Sequence, residues 1–255
     1  MTKMIKDIHL TGRDLMGMVQ LTPQAVGKYA IVPGPRERME AVVKKLKDPV
    51  KNFSFMEYTM YTGTYEGIKV TTINGGRFAA DTGITTEIMC NAQIKALVRI
   101  GSCGALREDI KVGDLIIVEN AIIGEGVSPY YVDKNFTPTA NQQLTDTLAK
   151  AAKSSMLTIH RGKCWSTDAI LRETREVVGK VTDQGAIAVD MVSSAFLTIC
   201  QQSNVPAAVI LAVSDNVITG EMGFMNPDYY MAEGMMIDVA FNFVKELESQ
   251  PAGKK

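Results

Sequence analysis

The chain has 255 residues, of which 46% are hydrophobic, and a formal net charge of -1 at pH 7. This balance argues against a broadly basic nucleic-acid or membrane surface, and no apolar run is long enough to span a membrane. The N-terminal residues lack the apolar stretch of a secretory signal peptide, and the four cysteines show no CxxC spacing. We therefore expect a cytoplasmic protein with reduced thiols and no metal site.

The first predicted strand leads into a candidate anion site. Residues 28–32 are rich in strand-forming side chains, and residues 33–38 (PGPRER) follow them. Apolar positions on one face then predict a helix that carries Met39 and Val42. A strand, a glycine turn at Gly34 and a helix start form the geometry in which backbone N–H groups bind an anion.

The next elements continue the alternation of strands and helices. Residues 52–70 predict a hairpin, and residues 70–74 predict a strand that leads to Gly75 and Gly76. Residues 82–97 show apolar side chains at helical spacing, which predicts a helix packed on a sheet.

A buried strand with one embedded arginine follows. Leu97, Val98 and Ile100 surround Arg99, and the run then reaches Gly-Ser-Cys-Gly, where we expect the strand to end. A buried guanidinium needs a partner, and the hydroxyl of Ser102 with free amides beside it could complete an anion site. An internal ion pair beside a tight turn explains the same spacing equally well.

The second half of the chain repeats the pattern. Strands are predicted for residues 115–123, 157–160 and 205–213, and helices for residues 137–153, for the segment opening at residues 188–195, and for residues 231–247. The alternation predicts a three-layer α/β/α fold. Asp215 follows the most apolar strand, where α/β proteins place ligands, although a carboxylate there could also cap the next segment.

The runs RIGSCGAL (residues 99–106) and DIKVGDLIIVENAI (residues 109–122) together resemble the nucleoside phosphorylase family that contains uridine phosphorylases and hexameric purine nucleoside phosphorylases. The resemblance implies one domain over residues 1–255, with a mixed central β-sheet. It also implies a homo-oligomer, formed as a dimer or as a hexamer of three dimers. The implied reaction is phosphorolysis of a nucleoside, with inorganic phosphate as co-substrate and no metal or organic cofactor.

The same resemblance assigns the phosphate site to Gly34, Arg38, Arg99 and Ser102. The family has an arginine before the hairpin that enters the partner's phosphate site, and this chain has Met56 there. Arg77 could replace the missing charge, or it could be a solvated loop residue.

For the nucleoside, the resemblance implies contacts from the residues His9, Trp165, Ser166, Asp190 and Met191. His9 would reach a neighbouring subunit's ribose, and Trp165 would stack on the base. The family's glutamate that accepts both ribose hydroxyls is replaced by Val192, so Asp190 is the nearest acceptor.

Three functional hypotheses follow. The first is a purine nucleoside phosphorylase, which Trp165 and Asp215 favour. Asp215 would be the catalytic acid, and Arg99 would stabilise charge during the reaction. The N-terminal arm with His9 favours a uridine phosphorylase, although the positions that read uracil in that group hold Thr174 and Glu176. The departures at residues 56 and 192 favour a weakly active or non-catalytic nucleoside-binding paralogue. A hydrolytic nucleosidase is a weaker fourth hypothesis, because it would not need the two phosphate arginines.

Overall fold

A single mixed β-sheet organises the computed structural model, which describes residues 8–250. Its strands are β1 (Tyr29–Pro33), β2 (Lys47–Phe55), β3 (Tyr58–Tyr65), β4 (Ile68–Ile73), β5 (Ala96–Ala105), β6 (Leu115–Gly124), β7 (Ile159–Thr167), β8 (Ala186–Asp190), β9 (Ala207–Asn216) and β10 (Glu221–Met222). The α-helices are α1 (Gly12–Met18), α2 (Arg36–Val43), α3 (Ala79–Asn91), α4 (Gln142–Ala152), α5 (Arg175–Asp183), α6 (Ser193–Gln202) and α7 (Pro227–Ser249). No helix within residues 8–250 combines the length and the apolar character needed to cross a bilayer.

The strand order is β10-β9-β6-β7-β8-β5-β1-β4-β3-β2, and β9 also pairs with β5. Strands β5, β9, β6, β7 and β8 therefore close on one another, while β1 to β4 extend the sheet outward from β5. The pairs β1–β4, β1–β5 and β5–β9 are parallel, whereas β6–β9 and β5–β8 are antiparallel. This closure brings the ends of β1, β5, β8 and β9 to one side of the molecule.

Helices cover both faces of the sheet. One buried cluster joins the sheet to α3 and α6, through residues such as Ile88 and Phe196. A second cluster joins the opposite face to α2, α4 and α7, through residues such as Val42, Leu148 and Phe241. The predicted α/β/α fold with a mixed central sheet is confirmed.

Local sequence explains where the helices begin. Asn141 and Thr174 each accept a hydrogen bond from a backbone N–H in the first turn, at the starts of α4 and α5. Asn226 does the same for α7, and Pro227 occupies that helix's first position.

Several predicted boundaries were wrong, among them the start of the helix predicted over residues 137–153, which begins only at Gln142. The helix predicted over residues 82–97 ends at Asn91, because β5 needs the residues from Ala96 onward. That strand continues through Gly101 and Gly104, since both glycines pair in register with β9 instead of turning. The segment at residues 188–195 begins as strand β8, and α6 starts only at Ser193.

Candidate functional site

A cavity of about 810 Å³ opens at the edge of the sheet where the parallel strands β1, β5 and β9 end. Four lining residues come from these strand ends. Gly34 follows β1, Ser102 and Gly104 are among the last four residues of β5, and Asp215 is the penultimate residue of β9. Open α/β sheets hold ligands at the carboxyl ends of their parallel strands, and this volume suits a small organic molecule.

Arg99 is the most unusual side chain in this cavity. Only 3% of it is exposed, and its Nη2 donates to the carbonyl of Gly76 at 3.2 Å. Its Nε and Nη1 have no hydrogen-bond partner among the described residues. Burial lowers the pKa of Arg99 to about 10, against the opposing effect of Asp190, so the side chain stays charged at neutral pH. A buried cation with free donors is stabilised by an anion in the cavity.

Glycines make room for this guanidinium. A Cβ on Gly34 would stand 3.3 Å from Nη2 of Arg99, and a Cβ on Gly75 would stand 3.3 Å from its Nη1. Gly76 has a φ of +89°, a conformation that side-chain-bearing residues rarely adopt. The glycine turns that the sequence showed after β1 and β4 therefore hold the arginine.

Arg38 lies beside Arg99 but is already paired. Its Nε and Nη2 contact the same Oε1 of Glu233, at 2.7 and 2.5 Å, and only 6% of the residue is exposed. Tyr229, one turn before Glu233 on α7, lines the same end. Burial raises the pKa of the Tyr229 hydroxyl, as does Glu233, while Arg38 and Ser102 oppose that rise. Arg38 is thus paired with a carboxylate, whereas Arg99 keeps two donors without a partner among the described residues.

Met191 and Val192, which follow β8, also line the cavity. Asp190 also lines it, but its carboxylate accepts hydrogen bonds from the hydroxyls of Ser166 and Ser193, both at 2.6 Å. The backbone N–H groups of Val192 and Ser193 donate to it as well, at 3.2 and 3.0 Å. A carboxylate has about four acceptor sites, so these four donors fill it. Asp190 therefore fixes the start of α6.

Two carboxyl groups line the cavity away from Arg99: Asp215 pairs with Gly104, five residues further along β5, and Glu173 interacts electrostatically with Asp215. Ser214 Oγ lies 2.7 Å from Oδ1 of Asp215, and a Cβ on Gly104 would stand 3.0 Å from its Oδ2. The neighbouring Asn216 holds the chain in place, because its amide donates to the carbonyls of residues 107 and 110 at 2.8 Å each. Glu173 is half-buried, and burial together with Asp215 raises its pKa to about 7.

A model of the phosphorylase superfamily matches residues 28–228 of the chain. The chain belongs to the phosphorylase superfamily. It is 29% identical over 199 residues, 77% of this chain and 85% of the relative, to the DeoD-type purine nucleoside phosphorylases of Bacillus cereus (strain B4264) and Brevibacillus brevis (strain 47). Its fold matches a crystal structure of uridine phosphorylase from Vibrio fischeri ES114 with a TM-score of 0.81, at 22% identity, covering 91% of this chain and 96% of that one.

These comparisons confirm the resemblance drawn from RIGSCGAL, and with it a pentosyltransferase of the nucleoside phosphorylase type. In this phosphorylase the cavity brings together Gly34, Arg38, Arg99, Ser102, Asp190, Met191 and Asp215. The sequence predicted each of these residues to be part of the site, and their roles stay predictions.

Three other predicted site residues lie elsewhere. Trp165 is 6% exposed and packs in a core cluster with Leu106 and Val178, outside the cavity lining. Ser166 is fully buried behind Asp190. His9 is exposed and does not line the cavity of its own chain. Its predicted contact is with a neighbouring subunit and stays a prediction.

Met56, which replaces the family's arginine, and the two neighbouring arginines Arg77 and Arg36 lie in different places. Met56 is 66% exposed in the turn between β2 and β3 and does not line the cavity. Arg77 does line the cavity. Its side chain is exposed, and its Nη2 lies 3.6 Å from Oε2 of Glu37. Arg36 donates to the carbonyl of Glu57 at 3.2 Å, outside the lining.

Sequence reasoning missed Glu173, Tyr229 and Glu233. The last two stand four residues apart on α7, so a helix-face argument could have paired them. Glu173 follows a short 3-10 turn, Ile170–Arg172, and carried no motif signal. Among the residues that the structure describes, no three His, Cys, Asp or Glu side chains are grouped to hold a metal ion.

Proposed function

We propose that this phosphorylase cleaves the N-glycosidic bond of purine nucleosides with inorganic phosphate. The products are the free base and ribose 1-phosphate or deoxyribose 1-phosphate. The observation that carries the proposal is the buried Arg99, which lines the cavity together with Asp215 and whose Nε and Nη1 have no partner among the described residues.

The phosphate end follows from this arrangement. Phosphate accepts from the free donors of Arg99, from the hydroxyl of Ser102 and from backbone amides near Gly34. Arg38 contributes its charge once phosphate competes with Glu233 for the guanidinium. Bound there, the anion stabilises the positive charge that develops on the sugar as the glycosidic bond breaks, and one phosphate oxygen then bonds to the anomeric carbon.

At the other end, Asp215 donates a proton to N7 of the purine as the bond to the base breaks. The electron pair of the glycosidic bond stays on the base, and the proton neutralises it. The purine assignment is supported by Asp215 in the cavity lining and by the purine nucleoside phosphorylases among the relatives.

The sugar lies between these ends, against Met191 and Val192. We propose that a second copy of the chain completes this wall with His9. Exposed apolar side chains in and after the N-terminal arm, Ile8, Leu10 and Met18, support an interface there. The chain would therefore act as a homo-oligomer.

The purine assignment is tested by kcat/KM of the wild type and Asp215→Asn on inosine, adenosine and uridine, all with phosphate. We expect a loss of about 10²- to 10⁴-fold on the purine nucleosides and a smaller loss on uridine. Glu221→Gln, an exposed carboxylate on β10 beside the end of β9, serves as the control and should change little. A wild type that prefers uridine, or purine turnover unchanged in Asp215→Asn, would replace the purine assignment with the uridine one.

A further inference from the structure

The base end of the cavity contains a carboxyl group that the proposed reaction does not use. Glu173 lines the cavity together with Asp215, and the two side chains interact electrostatically. Glu173 is held between two fixed turns: the N–H of Arg172 donates to the carbonyl of Ala169 at 2.7 Å, and Thr174 caps α5. Its backbone is therefore set by local structure.

No cation balances this pair within residues 8–250. Neither Glu173 nor Asp215 has an ion-pair partner there, and only burial and Asp215 shift the pKa of Glu173. The arginines of the cavity are held elsewhere: Arg38 by Glu233, Arg99 by the carbonyl of Gly76, and Arg77 beside Glu37. Two half-buried carboxyl groups without a cation call for hydrogen-bond donors from the ligand.

Two apolar side chains, from segments next to the carboxyl pair, also line the cavity. Ile170, three residues before Glu173, and Phe224, just after the strand that pairs with Asp215, both line the cavity. They are 57% and 60% exposed, so their apolar surfaces are available to a ligand. Such surfaces suit the apolar face of an aromatic base.

We propose that Glu173 is a specificity-determining residue that accepts a hydrogen bond from the 6-amino group of a purine, so that the site prefers adenine to hypoxanthine. This inference rests on the proposed function, which places N7 of the purine at Asp215. On a purine, N7 and the substituent at C6 share one edge, with an amino donor in adenine and a carbonyl acceptor in hypoxanthine.

The chemistry of the pair gives the direction of the preference. With N7 at Asp215, the neighbouring carboxylate of Glu173 accepts from an amino group and repels a carbonyl oxygen. A site that hydrogen-bonds one substituent discriminates strongly against an analogue that leaves its polar group unpaired.

The test is the binding of free adenine and free hypoxanthine to the full chain, measured by calorimetry at pH 8, where Glu173 is ionised. The wild type should bind adenine at least about tenfold more tightly than hypoxanthine. Glu173→Gln should weaken adenine binding by about tenfold and strengthen hypoxanthine binding, because the amide supplies a donor for O6. Glu176→Gln, three residues away and exposed in a pair with Lys180, is the matched control and should keep the wild-type ratio.

Equal affinities in the wild type, binding of neither base, or an unchanged ratio in a folded Glu173→Gln variant would each overturn the proposal. The ratio of kcat/KM for adenosine over inosine should fall in the same variant, a change that a merely structural role would not produce. An adenine preference that depends on Glu173, without phosphate-dependent cleavage of any nucleoside, would retain this inference and reject the proposed function.

Discussion

The two ends of the cavity differ in charge, burial and construction. At the end proposed to bind phosphate (the phosphate end), Arg99 and Arg38 are 3% and 6% exposed and belong to β5 and α2. At the base end, Glu173 and Asp215 are half-buried, one on a loop and the other at the end of a strand. The arginines Arg99 and Arg38 therefore lie deeper in the packed scaffold than the carboxyl groups of Glu173 and Asp215.

This contrast separates the part of the site that would bind phosphate, whatever the nucleoside, from the part that would recognise the base. An arginine fixed in the sheet suits phosphate, which would be common to every substrate of such an enzyme. Carboxyl groups at the end of a strand or on a loop can vary without disturbing the sheet, because loops tolerate sequence change. Changes at the phosphate end should therefore affect all substrates alike, whereas changes at the base end should affect some substrates more than others.

Removing the Arg99 side chain should have the largest effect on activity. If Arg99 binds phosphate as proposed, Arg99→Ala deletes two charge-assisted hydrogen bonds, each worth about 1.5–3 kcal/mol, so kcat/KM for phosphate should fall by about 10²- to 10⁴-fold. The melting temperature should not fall with it, because the free protein loses a buried charge with unpaired donors. Arg36→Ala is the control outside the cavity lining; a similar loss in that variant would contradict the assignment.

Releasing Arg38 should have a smaller effect of opposite sign. Glu233→Gln removes the carboxylate that competes with phosphate for the guanidinium, so the KM for phosphate should decrease by about tenfold. Asp238→Asn removes an exposed partner of Lys45 on the same helix and should leave that KM unchanged. An increase in KM in Glu233→Gln would show that Glu233 orients Arg38 for binding instead of competing.

At the base end, ionisation of Glu173 should make the stability of the folded protein depend on pH. The pKa of Glu173 rises from 4.5 to about 7 on folding, so the ionised side chain destabilises the folded state as pH rises through that window. Because the group is half exposed, we discount the effect to about 1 kcal/mol. Glu173→Gln should therefore melt about 2–4 °C above the wild type at pH 8 and at the same temperature at pH 4. A difference of equal size at both pH values would mean that ionisation is not its cause.

The sugar between the two ends should show the smallest effect. Val192 cannot accept a hydrogen bond, and the acceptor sites of Asp190 are filled by the chain's own donors. Ribonucleosides and 2′-deoxyribonucleosides should therefore have kcat/KM values within about threefold of each other. A strong preference for ribose would point to an acceptor from a neighbouring subunit.

Much of the fold could be predicted from the sequence, because apolar runs and helical spacing report burial directly. The boundaries at Asn91 and at Asp190 could not, since both depend on which neighbouring strand the backbone pairs with. The same applies to Gly101 and Gly104: glycines suggest turns, yet here they are needed for strand contacts.

Arg99 could be placed in a candidate site from the sequence because it is a charged residue within an apolar strand, which is a local anomaly. Glu173 and Glu233 could not, because each meets its partner only through tertiary packing. Trp165 gave a misleading signal, since a large aromatic side chain near a site can equally well fill the core, as this one does in the described chain.

The most direct measurement of the central claim is base release from a purine nucleoside with and without inorganic phosphate. We predict that release requires phosphate, saturates with it and yields one sugar 1-phosphate for each base. Equal rates of release in phosphate-free buffer, with free sugar as the product, would contradict the account and identify the reaction as hydrolysis.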